Sequence, residues 1–269
     1  MSHGSLLIKH HLNLAYGLSL SIVLLMIVAS MAGLLYGATI YPTDELFQTF
    51  MPNDVVNLFI GVPILLGSMW LTRRGQLIGL LFWPGALFFM LYNYIAYVFG
   101  IPFNVMFLPY LMLVMLSTYT LIGLVASIDR REVKQRILGI VPERTLGGIL
   151  VGLGVLFTLR VVGVMVNALV SQTSIASSEF SVLVADFLIT PAWIVGGVLL
   201  WRRETLGYLL GVGLLFQASL LFIALILFML LQPLLTAASF RLADVVVVCM
   251  MGMICFIPLA LFIRGILLH

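Results

Sequence analysis

The chain has 269 residues, of which 63% are hydrophobic and only 9% charged, with a formal net charge of +3. An ordinary soluble domain carries about 25% charged residues, and a soluble fold could not hide this much apolar surface. Strand-like alternation is absent, so a barrel is not expected. The long uncharged runs read as spanning helices, each needing about 20 apolar residues and satisfying its own backbone hydrogen bonds.

Apolar runs set against breakers predict eight spans, near 14–38, 55–72, 77–99, 105–127, 147–170, 181–200, 206–231 and 243–264. Span 1 follows Lys9-His10-His11 and contains Ala29-Ser30-Met31-Ala32, but its run is longer than a signal-peptide core and it reads as retained. In span 2, Asp54 and Asn57 share one face at the outer end. In span 3, Asn93 and Tyr97 are four apart, and Tyr92, Tyr94 and Tyr97 read as an interfacial aromatic belt. The loop after span 4 holds Arg130, Arg131, Lys134 and Arg136 against Asp129 and Glu132, and is expected to lie on anionic headgroups.

Span 5 carries Arg160 near its middle, with Asn167 two turns beyond and Gly148 and Gly152 as a small-xxx-small face. A charged group at that depth costs at least about 2.5 kcal/mol unless it is paired or hydrated. Arg160 sits about 15 Å below the outer end of its span and Asp186 about 8 Å below that of span 6, so an ion pair between them is within reach of the long side chain. Arg241 and Asp244 begin span 8, as a rim salt bridge or a helix-end charge pairing. Cys249 and Cys255, six apart, read as packing residues. Prolines 63, 84, 109, 191 and 258 interrupt five of the runs and predict kinks.

Under this threading Lys9, Arg73, Arg74, Arg130, Arg131, Lys134, Arg136, Arg144, Arg202, Arg203 and Arg264 flank one side, against Arg241 on the other with Asp44, Glu45, Asp54, Glu179 and Asp244. That asymmetry predicts a multi-pass protein of the cell (plasma) membrane with both termini cytoplasmic. It also explains the basic residues as orientation signals, so no nucleic-acid partner is expected and the lipid bilayer is the expected partner.

The two halves resemble each other. A shift of 128 residues aligns Pro63 with Pro191, Arg74 with Arg202, Gly79 with Gly207 and Gly85 with Gly213, and ten of the 38 positions in 54–91 match those in 182–219. The fold class expected is an all-α polytopic transmembrane bundle of about eight spans. Its halves are 1–140 and 141–269, a 4+4 parallel internal repeat about an axis along the membrane normal.

Several segments resemble an uncharacterised family of prokaryotic polytopic (about eight-span) integral membrane proteins. They are Pro52-Asn53-Asp54, Leu91-Tyr92-Asn93-Tyr94 running to Phe99-Gly100, Phe103-Asn104, Leu231-Gln232-Pro233-Leu234-Leu235, Ala243-Asp244-Val245-Val246, and Ile254 through Pro258 to Arg264-Gly265. The resemblance implies the multi-span fold and supplies no activity, ligand or catalytic residue.

The four histidines, His3, His10, His11 and His269, are all terminal, and neither lysine falls in a span. No metal site, haem, other cofactor or retinal Schiff base is therefore expected. No HExxH, GxSxG or GxxxxGK[ST] occurs, so no catalytic residue is assigned. Asp54, Asn57, Asn93, Arg160, Asn167 and Asp186 all fall in the outer half of the spans. They form the candidate ligand-binding set of an outward-facing intramembrane pocket for a small polar or anionic solute, as in a permease. The alternatives are a non-catalytic membrane subunit or scaffold, in which these groups tie helices together, and an intramembrane enzyme acting on a lipid.

Overall fold

The computed structural model describes residues 12–140 and 142–268. Lys9 and the four histidines lie outside the described residues. The described residues form helices joined by loops, with no strand among them, and eight of the helices are long and apolar enough to cross a membrane. In order these are α1 (Asn13–Leu35), α3 (Asp44–Val56) continued by a π segment (Asn57–Gly61) into α4 (Val62–Arg73), α5 (Leu77–Gly100), α6 (Phe107–Ser127), α8 (Glu143–Ser171), α9 (Ser177–Trp201), α10 (Thr205–Leu235) and α11 (Leu242–Leu268). Two short helices, α2 (Gly37–Ile40) and α7 (Arg130–Ile137), lie between spans. The end of the bundle bearing Arg73, Arg74, α7 and Arg203 is called the basic end, and the opposite end, bearing Asp44, Glu45 and Asp244, the acidic end.

The second span starts eleven residues before the apolar run does. Thr43 caps it by accepting from the Leu46 amide, and Asp44 and Glu45 fill its first turn, where carboxylates favour the helix dipole. Asp54 therefore sits ten residues into the helix, about 15 Å from its acidic end, and not at the rim where the apolar run alone would place it. Pro52, inside α3, cannot donate to the Gln48 carbonyl. Gln232 of α10 supplies the missing hydrogen, its Nε2 lying 3.1 Å from that oxygen.

α5 is the central helix, with 89% of its most apolar stretch buried, and it packs against α4, α6, α9 and α10. Gly85 makes its crossing with α10 possible: a Cβ there would collide with the Gly213 carbonyl oxygen. Tyr94 and Tyr97 of α5 are fully buried, so they belong to the core and not to an interfacial belt. α7 is also more than a lipid anchor. Asp129 caps it, Glu132 pairs with Arg136 at 3.0 Å, Val133 and Ile137 are buried, and Lys134 Nζ donates to the Arg203 carbonyl at 2.7 Å.

The α4–α5 and α9–α10 turns share three backbone hydrogen bonds at the 128-residue offset. Arg74, Gly75 and Gln76 donate to the carbonyls of Trp70, Thr72 and Leu71, as Arg202, Arg203 and Glu204 do to Val198, Leu200 and Leu199. Gly75 and Arg203 are both left-handed, with φ of 74° and 59°. A Cβ on Gly79 would strike the Thr72 amide and Leu71, and one on Gly207 would strike Leu199 and the Leu200 amide.

Candidate functional site

The six candidate residues divide between two polar networks, and one stands outside both. The first network surrounds Asp54, which is 1% exposed. Tyr41 in the loop before α3 donates to its Oδ2 at 2.5 Å, and the Tyr97 hydroxyl lies 2.9 Å from its Oδ1. Burial first, and Asp54 second, hold the Tyr41 hydroxyl far above the usual phenol range, so it remains a donor. Asn53 Nδ2 reaches Asn93 Oδ1 at 3.4 Å and Tyr97 at 3.3 Å, Asn57 Nδ2 reaches Tyr97 at 3.4 Å, and Asn93 Nδ2 donates to the Phe89 carbonyl at 3.0 Å. Asp54, Asn57 and Asn93 are thus brought together. Phe50, Tyr94 and Tyr110 wall them in: Phe50 stacks on Tyr41 and meets Tyr97 edge-on, and Tyr94 and Tyr110 lie tilted against Tyr97. Gly33 of α1 closes the top of the network, since a Cβ there would collide with Asp54 Oδ2 and the Tyr41 hydroxyl.

The second network joins α8, α9 and α5. Arg160 Nη1 donates to Asp186 Oδ2 at 3.0 Å, and Tyr92 donates to Asp186 Oδ1 at 3.0 Å. One turn toward the basic end, the Thr158 and Thr190 hydroxyls meet at 3.0 Å. The pair is lopsided: the Asp186 side chain is 4% exposed and that of Arg160 46%. Arg160 lies eleven residues from the acidic end of α8, about 17 Å along the axis. A guanidinium has five N–H donors, and Asp186 is its one partner among the described residues, so most of its donors are unspent.

α5 is the element common to both networks, with Tyr92 serving one and its neighbour Asn93 the other. They leave the helix about 100° apart, which is why the residues of similar depth do not share one pocket. Asn167 is exposed on α8 and joins neither network.

The candidate set drawn from the sequence contains neither Asn53 nor the Tyr41 loop, and assigns Tyr92 and Tyr97 to an aromatic belt. The signal available was polar side chains four apart, Asn53 with Asn57 and Asn93 with Tyr97, facing one another across two helices.

At the acidic end, Gln48, Gln232, Ser239, Arg241 and Asp244 line a polar pocket of about 300 Å³ between α3, α10 and α11. Arg241 and Asp244 make no ion pair among the described residues, and Asp244 lies in the first turn of α11, the helix-end pairing of the two expected arrangements. A second pocket of about 230 Å³ is apolar and lies between α6 and α9 over Pro84, Gly85 and Phe88. Among the described residues no three His, Cys, Asp or Glu side chains are grouped as metal ligands would be. Eight spanning helices make the chain an integral, multi-pass membrane protein by length and composition. No family model, no curated protein and no solved structure matches it.

Proposed function

We propose that this protein is a permease-type binding protein of the cell membrane for a small polar or anionic solute. It is built of two parallel four-span halves, 1–140 and 141–269, with both termini cytoplasmic. The single observation that carries the reading is the half-exposed Arg160 side chain, about 17 Å below the acidic end of α8, with most of its guanidinium donors unspent. Unsatisfied donors facing hydrocarbon cost several kcal/mol each, so that edge of Arg160 faces water or a polar ligand. Asp186, held by Tyr92, fixes the guanidinium in place.

The two-half arrangement is supported by the matched turns at the 128-residue offset and by the meeting of Gly85 with Gly213, which that offset makes equivalent. An axis relating the halves would bring such a pair together where it passes between α5 and α10. α5 also packs against α6 as α10 does against α11. The basic end carries the cations of four loops and ends, which supports its assignment to the cytoplasm. The resemblance to an uncharacterised prokaryotic membrane family agrees with this reading and adds no ligand to it.

The test is thermal unfolding of the purified protein in detergent against a panel of inorganic phosphate, a monocarboxylate and an acidic amino acid. At least one anion should stabilise the wild type and leave Arg160→Gln unmoved. Equal responses of wild type and variant to every anion would refute the reading.

A second reading, a non-catalytic subunit, is favoured by a separate observation. α8 and α11 are the least buried spans, each with 22% of its most apolar stretch inside, and Asn167 is exposed on α8. A partner span would cover that face. A stable complex that buries α8, with no anion response, would select this reading instead.

A further inference from the structure

Every residue lining the pocket of about 230 Å³ between α6 and α9 is Gly, Pro, Ala, Val, Leu or Phe. Its floor is the α5–α10 crossing, where Gly85 and Gly213 contribute no side chain, and its walls are Leu121 and Val125 of α6 and Ala192 and Val195 of α9. Val195 is 56% exposed, so the pocket opens sideways, toward lipid. Along the helices it runs from about 3 Å (Val125) to about 17 Å (Phe88) below their basic ends. That is the depth of one leaflet, whose hydrocarbon is about 15 Å thick, half of a core of about 30 Å. With no polar group to hold it, water gains nothing by entering.

The space exists because one ring is missing. At the 128-residue offset that matches the two turns, Leu210 corresponds to Phe82 and Phe88 to Phe216. Phe82 of α5 and Phe216 of α10 stack at 3.9 Å with their planes 7° apart, filling the space between them. Leu210 and Phe88 both line the pocket, and a leucine opposite the phenylalanine leaves open the volume a second ring would take.

The basic end of the pocket is rich in cations. α7 starts where α6 stops and reaches the α9–α10 turn through the Lys134 bond to the Arg203 carbonyl, so it lies across the ends of both walls. Arg130 is five residues beyond Val125 and Arg202 seven beyond Val195. Neither makes an ion pair among the described residues. Lipid tails are as apolar as leucine, so a chain gains no hydrophobic energy by leaving the bilayer for this pocket. The pocket supplies shape, and the two arginines supply a preference for negative charge at the headgroup level.

We propose that the α6–α9 crevice is a binding site for one anionic phospholipid, with an acyl chain in the pocket and the phosphate held by Arg130 and Arg202. The assignment rests on the pocket and these cations and stands whether or not Arg160 meets a solute.

Native mass spectrometry of the full-length protein in detergent tests it, with phosphatidylglycerol and phosphatidylcholine of the same chains offered at equal concentration. The wild type should retain one phosphatidylglycerol in preference to phosphatidylcholine. Leu210→Phe, which sets a ring opposite Phe88 as Phe82 lies opposite Phe216, should abolish that retention and melt close to the wild type. Val195→Phe narrows the mouth from its exposed rim and should weaken retention too, which keeps the comparison usable if Leu210→Phe fails to fold. Arg130→Gln and Arg202→Gln should each lower the preference for phosphatidylglycerol about five-fold. Equal retention of the two lipids by the wild type, or undiminished retention of phosphatidylglycerol in a folded crevice variant, would overturn the proposal. So would arginine variants that keep the full preference, or a dimer of the lipid-free protein that Leu210→Phe dissociates, which would assign the crevice to a second copy of the chain.

Discussion

Removing Arg160 and removing Asp186 should have unequal consequences, because the two ends of their ion pair stand in different surroundings. Arg160→Met leaves the Asp186 carboxylate, 4% exposed, with the neutral Tyr92 hydroxyl as its remaining donor. Losing one partner of a fully buried pair costs about 3–5 kcal/mol, and exposed pairs are worth about 0.2–1 kcal/mol. With Arg160 46% exposed, the loss should fall between those limits, about 2–3 kcal/mol. Asp186→Leu leaves a cation that already reaches the surface of the bundle and can turn further toward it, and should cost about 1–2 kcal/mol. The double variant should be less damaged than the two losses added, with a coupling of about 1–2 kcal/mol. Reversible unfolding in mixed micelles, followed by Trp fluorescence, gives all four corners of this cycle. Strict additivity, or a larger loss from Asp186→Leu than from Arg160→Met, would refute the reasoning.

The glycines of the α5–α10 crossing should also respond unequally. A Cβ at Gly85 would overlap the Gly213 carbonyl, whereas one at Gly213 meets the Leu81 carbonyl at 3.2 Å. Gly85→Ala should therefore cost about 1–3 kcal/mol and Gly213→Ala clearly less, read as unfolding midpoints. At the matched turns, Gly75→Ala should lower stability by about 1 kcal/mol, because it puts a Cβ on a left-handed residue. In a background lacking Cys249 and Cys255, the single-cysteine variants Gln76→Cys and Glu179→Cys should label from opposite sides of a sealed vesicle. In cells, only Glu179→Cys of the two should react with an impermeant maleimide.

The number and order of the spans were legible because lipid demands long uncharged helices, and the composition leaves no other way to satisfy the backbone. The start of α3 was not legible. Asp44, Glu45, Gln48, Asn53 and Asp54 dilute the apolar signal there, and the helix start is marked instead by the Thr43 cap, the acidic first turn and the cross-helix donor from Gln232. That difference moved Asp54 from the rim to the interior.

For the candidate site, sequence spacing gave depth and the face of each helix, but not which neighbour that face meets. Arg160 and Asp186 found each other as their depths implied. Asn93 instead turned to Asn53, and Asn167 to the open side of α8. The same ambiguity covers the tyrosines of α5. An aromatic ring near the end of a span looks alike in sequence whether it faces headgroups or, as Tyr97 does, a buried carboxylate.

The most direct test of the functional account is a structure of the protein in a lipid nanodisc at a resolution that shows ordered water, centred on Arg160. Waters or a bound anion on the guanidinium nitrogens that Asp186 leaves free would bear out the proposed binding edge. Acyl chains or a partner helix sealed against those nitrogens, with no water between, would contradict it and leave the Arg160–Asp186 pair as a tie between α8 and α9.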